Sequence, residues 1–110
     1  MKINTEFRKG VMFIRIKGCL CEKNLDNIKY EDFKYIVFNF DNLLSLDSYA
    51  ISYIIELNNR IEKNNGKIFI CDSKNSLFNR LFSGKIEIIN NEIEAFNIMW
   101  KEMRWKNLQT

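Results

Sequence analysis

Three aspartates (Asp41, Asp47 and Asp72), one serine (Ser48) and a close pair of cysteines (Cys19 and Cys21) are the side chains in this sequence that could do chemistry. The carboxylates fall next to apolar runs or a helical pattern, so they could converge at strand ends, where open α/β sheets place their sites. They have no partner for acid–base work. The 110 residues contain no histidine, which removes His-based general acid or base catalysis, triads and histidine metal ligation. The four glycines, Gly10, Gly18, Gly66 and Gly84, are scattered and build no phosphate-cradling loop. The three aspartates alone make a poor catalytic set. Cys19, Cys21 and the third cysteine, Cys71, lack metal-type spacing. Cys19 and Cys21 read better as two reduced thiols at a strand end than as a redox pair. No cofactor or metal is expected.

The elements that must position these residues lie between Lys34 and Asp72. Tyr35-Ile36-Val37-Phe38-Asn39-Phe40 is a dense apolar run, followed by what reads as a loop, Asp41-Asn42-Leu43-Leu44-Ser45-Leu46. Asp47 and Ser48 are good helix starters. Ala50, Ile54, Leu57 and Ile61 then recur with a helical period, with Ile51 and Ile55 beside them. Asn64-Asn65-Gly66 stops the helix, and Ile68-Phe69-Ile70-Cys71 is a second apolar run. Neither run alternates, so both predict strands covered on two faces and running parallel, with a right-handed crossover through the helix.

The flanks add the rest. Lys2 to Arg8 alternates as a half-buried strand, Lys9-Gly10 turns, and Val11 to Lys17 returns as the second arm of an antiparallel hairpin. Asn24 to Ile28 predicts a short helix. Leu77, Phe78, Leu81 and Phe82 predict another, with Ser73 or Asn75 as cap, and Ile86 to Ile89 a short last strand. A final helix starts after Asn91, with Glu94 in its first turn and Ile93, Phe96, Met99, Trp100 and Met103 as its apolar stripe. Its basic end, Lys101, Arg104 and Lys106, suits the helix dipole. Trp100, Trp105 and these cations could meet nucleic acid or anionic lipid; a core-facing Trp100 with a solvated basic face is the better reading. The expectation is one α/β domain over residues 1–110, a mixed sheet of five strands with three to four helices.

Composition sets the remaining bounds. With 46% hydrophobic residues the chain can bury a core without staples. No apolar run reaches the roughly 20 residues that span a bilayer, and Met1 to Glu6 does not open a signal peptide. Three cysteines fit a reduced, cytoplasmic setting. A dispersed net charge of +3 gives little support for nucleic-acid binding.

From Tyr35 to Phe82 the order of elements resembles a STAS domain, the fold of bacterial anti-sigma-factor antagonists and of sulfate-transporter tails. The residues that carry the resemblance are Tyr35–Phe40, Asp47-Ser48-Tyr49-Ala50 in place of an Asp-Ser-Ser-Gly, the helix from Ser48, Gly66, Ile68–Cys71 and Arg80-Leu81-Phe82. Gly18-Cys19-Leu20 resembles the Gly-x-Leu end of the family's second strand. The resemblance implies a non-enzymatic module that binds a protein partner, often a kinase that is also an anti-sigma factor. The family's phosphorylated serine falls on Tyr49 and its glycine on Ala50, so a phosphorylation site here must shift to Ser48. The acidic residue that often follows Gly-x-Leu is Cys21.

Leu44, Ser45, Asp47, Ser48 and Tyr49 are therefore the expected partner-binding residues. A phosphate on Ser48 would meet the free N–H groups and positive dipole end of a helix. Helix capping by Asp47 or Ser48 also accounts for both residues with no signalling role. Tyr49 is either an exposed anchor, as tyrosines often are at interfaces, or a ring folded onto the sheet edge. The other reading of the whole chain is a non-switching STAS subunit of a larger assembly, such as a transporter accessory or sensory scaffold.

Overall fold

Strand pairing begins at a two-residue turn. Lys9 (φ +50°) and Gly10 (φ +86°) both take left-handed backbone, the pattern of a type I′ hairpin, whose twist matches that of the flanking strands. It joins β1 (Lys2–Arg8) antiparallel to β2 (Val11–Leu20), with Arg8 opposite Val11. The structure, a computed structural model, describes residues 2–21, 25, 30–74, 77–82 and 84–109. The later strands are β3 (Tyr35–Leu46), β4 (Lys67–Cys71) and β5 (Glu87–Ile89). The sheet order is β1-β2-β3-β4-β5, and every pair after the hairpin is parallel. The mixed five-stranded α/β sheet is thus as expected, with the two apolar runs adjacent and in register from Tyr35–Lys67 to Asn39–Cys71.

The apolar runs do not alternate because both sheet faces are covered. Ile14, Ile36, Phe38, Phe40, Ile68 and Ile70 point to one side. There they meet Ala50, Ile54, Leu57 and Ile61 of α1 (Ser48–Lys63), the four residues of the expected helical stripe. Val11, Phe13, Val37, Phe69 and Cys71 point to the other side, against Ala95 and Met99 of α2 (Glu92–Gln109). Asn58 is buried on α1 and donates from Nδ2 to the Lys85 carbonyl at 3.2 Å, tying the helix to the segment before β5.

Helix α1 ends in a Schellman motif. Asn65 takes φ +63°, Gly66 N–H donates to Ile61 O at 2.8 Å, and Asn65 N–H donates to Glu62 O at 3.0 Å. Gly66 has a further reason to be glycine. A Cβ there would lie 2.2 Å from the Lys34 carbonyl oxygen, which accepts from Lys67 N–H at 2.8 Å as β4 begins.

Several expectations are corrected. Three to four helices were expected; the described residues form two α-helices. Leu77–Leu81 is a 3-10 turn instead of an α-helix, because five residues fix too few hydrogen bonds to hold an α-helix. A second 3-10 turn covers Tyr30–Asp32. The helix expected over Asn24–Ile28 lies outside the described residues apart from Leu25, which is buried, and Asn75 also lies outside them. Strand β3 runs on to Leu46 where a loop was expected, and β2 runs on to Leu20. β1 is an exposed edge: Phe7 stays largely in solvent, 5.5 Å from the Phe33 ring. Trp100 is not core-facing but 61% exposed, and Ile93 is 68% exposed. Of the expected stripe, Met99 and the half-buried Phe96 do face the sheet, joined by Ala95 and the half-buried Ile98, while the Met103 side chain lies outside those described. No described helix is long and apolar enough to cross a membrane.

Candidate functional site

The last turn of β3 and the first turn of α1 form one continuous platform. β4 stops pairing at Cys71 opposite Asn39, so Phe40 to Leu46 runs past it and pairs with β2. Two register shifts interrupt that pairing. β2 advances from Arg15 to Lys17 while β3 advances from Asn39 to Asn42, and Gly18 to Cys19 faces Leu43 to Ser45. Each is a bulge on β3, an extra residue that bends the strand and re-aims a side chain. Gly18 takes φ +101° beside the second bulge, where glycine fits without strain.

The second bulge explains Leu44. It is the extra residue, and its side chain is 75% exposed while its neighbour Leu43 is buried. Ser45 is also exposed, and Leu46 packs against the α1-side core. The strand closes where Asp47 N–H donates to Leu20 O at 3.2 Å.

Asp47 then turns the chain into the helix. Its backbone is extended, at φ −87° and ψ 169°, and its carboxylate accepts from Ala50 N–H at 2.8 Å. Asp47 is therefore the N-cap, satisfying one of the free N–H groups of the first turn. The capping role left open between Asp47 and Ser48 falls to Asp47. Ser48 is the first helical residue, exposed at the helix N-terminus. Tyr49 is 68% exposed, so its ring is not folded onto the sheet, while Ala50 is fully buried beneath it. The fold thus gathers Leu44, Ser45, Asp47, Ser48 and Tyr49 in one stretch, four of them pointing largely into solvent from a backbone held by the bulges and the cap.

The three aspartates do not form one cluster. Asp41 and Asp72 line a shallow cleft of about 310 Å³ with Lys17, Lys74 and Leu44, but Asp47 is not among its walls. The Asp41 carboxylate accepts from Ser73 N–H at 2.7 Å and Ser73 Oγ–H at 2.9 Å, so it fixes the chain leaving β4. Burial, reinforced by the carboxylates of Asp41, Glu92, Asp72 and Glu94, pushes the Cys71 thiol up to about 12, so it is protonated at neutral pH and no nucleophile. The cysteines form no disulfide. Among the described residues, no group of three or more His, Cys, Asp or Glu side chains could hold a metal. The lysines of the cleft were missed in the sequence: Lys17 was placed as a plain strand residue because β2 was ended there.

A second polar cluster sits under α2. Arg15 donates to Glu92 through Nε (2.9 Å) and Nη2 (2.7 Å) and to Glu6 through Nη1 (2.9 Å), and Asn39 Nδ2 donates to Glu92 at 2.7 Å. The Arg15 hydrogen bonds hold the Glu92 carboxyl below its ordinary range despite partial burial, with help from Asn39. Nothing in the sequence linked Arg15 to Glu92.

The family model of the STAS domain matches residues 2–95. Among solved structures, the anti-sigma factor antagonist SpoIIAA in its unphosphorylated form superposes with a TM-score of 0.76 at 18% identity, over 89% of this chain and 97% of that one. A putative anti-sigma factor antagonist from Thermotoga maritima gives 0.72 at 17% identity, over 86% and 92%. The Bacillus cell fate determinant SpoIIAA in its phosphorylated form gives 0.69 at 20% identity, over 89% and 99%. No curated protein matches the chain.

Proposed function

The chain belongs to the STAS domain family, and from that premise we propose that it is a non-enzymatic regulatory module of the anti-sigma factor antagonist type. In this reading it binds a kinase or anti-sigma partner through Leu44, Ser45, Asp47, Ser48 and Tyr49. The observation that carries the proposal is the pair of large apolar side chains, Leu44 and Tyr49, held 75% and 68% exposed on either side of a rigid helix start. An exposed tyrosine is of the residue type enriched in interface hot spots, the neighbouring Leu44 adds apolar contact area, and a backbone fixed beforehand lowers the ordering cost of binding. One of the proteins of similar fold exists in phosphorylated and unphosphorylated forms. Here the hydroxyl for such a switch is Ser48, at the helix N-terminus, where the dipole favours added negative charge. A phosphate of charge about −2 on the contact surface would act on the partner through repulsion and desolvation. The working setting is cytoplasmic, with neither nucleic acid nor membrane insertion involved.

The experiment is co-purification with the anti-sigma factors and kinases of the source cell, repeated with Tyr49→Ala. The proposal expects a partner of that class, lost or weakened in the variant while the melting temperature stays near the parent's. Binding of no such protein, or of one that ignores Tyr49→Ala, overturns it.

A second reading, a non-switching subunit of a larger STAS assembly, is favoured by one observation: a tyrosine and a fully buried alanine occupy positions 49 and 50, where the switching motif has serine and glycine. Mass spectrometry of the protein from its own cell separates the two. Phosphate on Ser48 supports the switch. Its absence under all growth conditions, with Ser48→Asp binding as well as the parent, supports the constitutive subunit.

A further inference from the structure

The opposite side of the molecule carries a groove that the proposed partner surface does not use. It lies between the β1–β2 turn and the outer face of α2 and measures about 560 Å³. Ile93 and Trp100, about two helical turns apart, rise from α2 at 68% and 61% exposure. Phe96 and Met99 lie lower on the same wall, with Asn97 between them. The facing wall is cationic: Arg8 and Lys9, held by the hairpin turn. No carboxylate lines the groove among the described residues. Lys9 itself sits at φ +50°, in a turn that asparagine or glycine would fill with less strain. The lysine therefore weakens the hairpin while supplying a charge to the groove.

We propose that this groove docks an acidic, amphipathic helical segment of a protein partner, apolar side chains seated on Ile93, Phe96 and Trp100 and carboxylates facing Arg8 and Lys9. The charge pattern selects the occupant. A second copy of this chain, groove against groove, would bring further arginines and lysines and no carboxylate. A flat lipid surface does not fill a concavity, whereas one face of a helix does, with anchors at every third or fourth residue.

The probe is a synthetic helical peptide with leucines on one face and glutamates flanking them, compared with the same peptide carrying lysines for glutamates. Binding to the full chain is followed by fluorescence anisotropy of a dye on the peptide. The expected result is that the glutamate peptide binds and the lysine peptide does not. Trp100→Ala and Arg8→Ala should each weaken binding by about tenfold or more. Lys9→Asn should raise the melting temperature and still weaken binding, a split that a purely structural role cannot give. The proposal is overturned if both peptides bind alike, if neither binds, if anionic phospholipid vesicles take up the chain in preference to the peptide, or if sedimentation shows a dimer that Ile93→Asp dissolves.

Discussion

Arg15 and Glu92 meet across the molecule, 2.7 Å from Nη2 to Oε1, although 77 positions separate them in the chain. The pair joins the hairpin to the first turn of α2, and Asn39 of β3 adds a third grip on the same carboxylate. Both side chains are mostly shielded from water, so the contact is stronger than a surface ion pair.

Glu92→Gln should cost about 1–2 kcal/mol at neutral pH, and the cost should depend on pH. The folded carboxyl titrates below its ordinary range. Its stabilisation is therefore complete above the unfolded value of about 4.3 and is lost as the pH falls through the lower folded value. Melting curves of parent and variant should converge as the pH drops below about 4. A gap that stays constant to acid pH would mean that the contact is not electrostatic.

Ile54 lies fully buried between α1 and the sheet, and Ile54→Ala should lose roughly 2–5 kcal/mol in urea unfolding. A loss below about 0.5 kcal/mol would mean that the helix buries another face.

Gly66→Ala should cost about 1–3 kcal/mol through overpacking, since its Cβ would press on the Lys34 carbonyl, a backbone atom in a strand start that cannot swing aside. Gly84 gives the control: a Cβ there meets nothing within 4 Å, so Gly84→Ala should feel only its positive φ, about 1 kcal/mol. Equal, small losses at both sites would remove the steric argument.

Asp47→Ala should lose about 1 kcal/mol as the cap is removed, whereas Ser48→Ala should be close to neutral because Asp47 already holds Ala50 N–H. Ser48→Asp should melt near the parent, its charge favoured by the helix dipole. Thermal melts of the three variants check the order; a larger loss at Ser48 than at Asp47 would reverse the assignment.

Tyr30 is fully buried against Phe38 and Tyr53, and its hydroxyl has no hydrogen-bond partner among the described residues. Burial raises its pKa well above the ordinary value. Tyr30→Phe keeps the ring and removes the stranded oxygen, so it should be neutral or stabilising by up to about 1 kcal/mol. A clear loss in chemical denaturation would reveal a hydrogen bond that the hydroxyl makes.

The sequence made the centre of the fold legible because burial there is simple. Strands covered on both faces read as unbroken apolar runs, and Ala50, Ile54, Leu57 and Ile61 repeat with the period of α1. The end of β3 was hidden by its two bulges, which break alternation and make Asn42, Leu44 and Ser45 look like a loop. Helix α2 misled for another reason. Its buried face holds Ala95, Met99 and the half-buried Phe96, with Glu92 gripped by Arg15 at its start, while two residues of the expected stripe, Ile93 and Trp100, point outward. Hydrophobic size located part of the face, Phe96 and Met99, but not its centre, where the small Ala95 sits against the sheet. At the candidate site, the helix start was legible from residue types, but the choice of Asp47 over Ser48 as cap rests on backbone geometry that no composition displays.

The uninterrupted strand order β1-β2-β3-β4-β5 also bears on how the molecule comes into being at the ribosome. Each strand's neighbour is the one synthesised just before it, so the sheet can lengthen at a single growing edge with no slot left for a later strand to enter. Each closure spans only the segment between consecutive strands, which limits the loop entropy that a parallel sheet must overcome at each step. The second face is different, because Phe13, Val37 and Phe69 must wait for Ala95 and Met99. Until α2 emerges the nascent sheet shows water an apolar side, the interval in which such chains most need a chaperone.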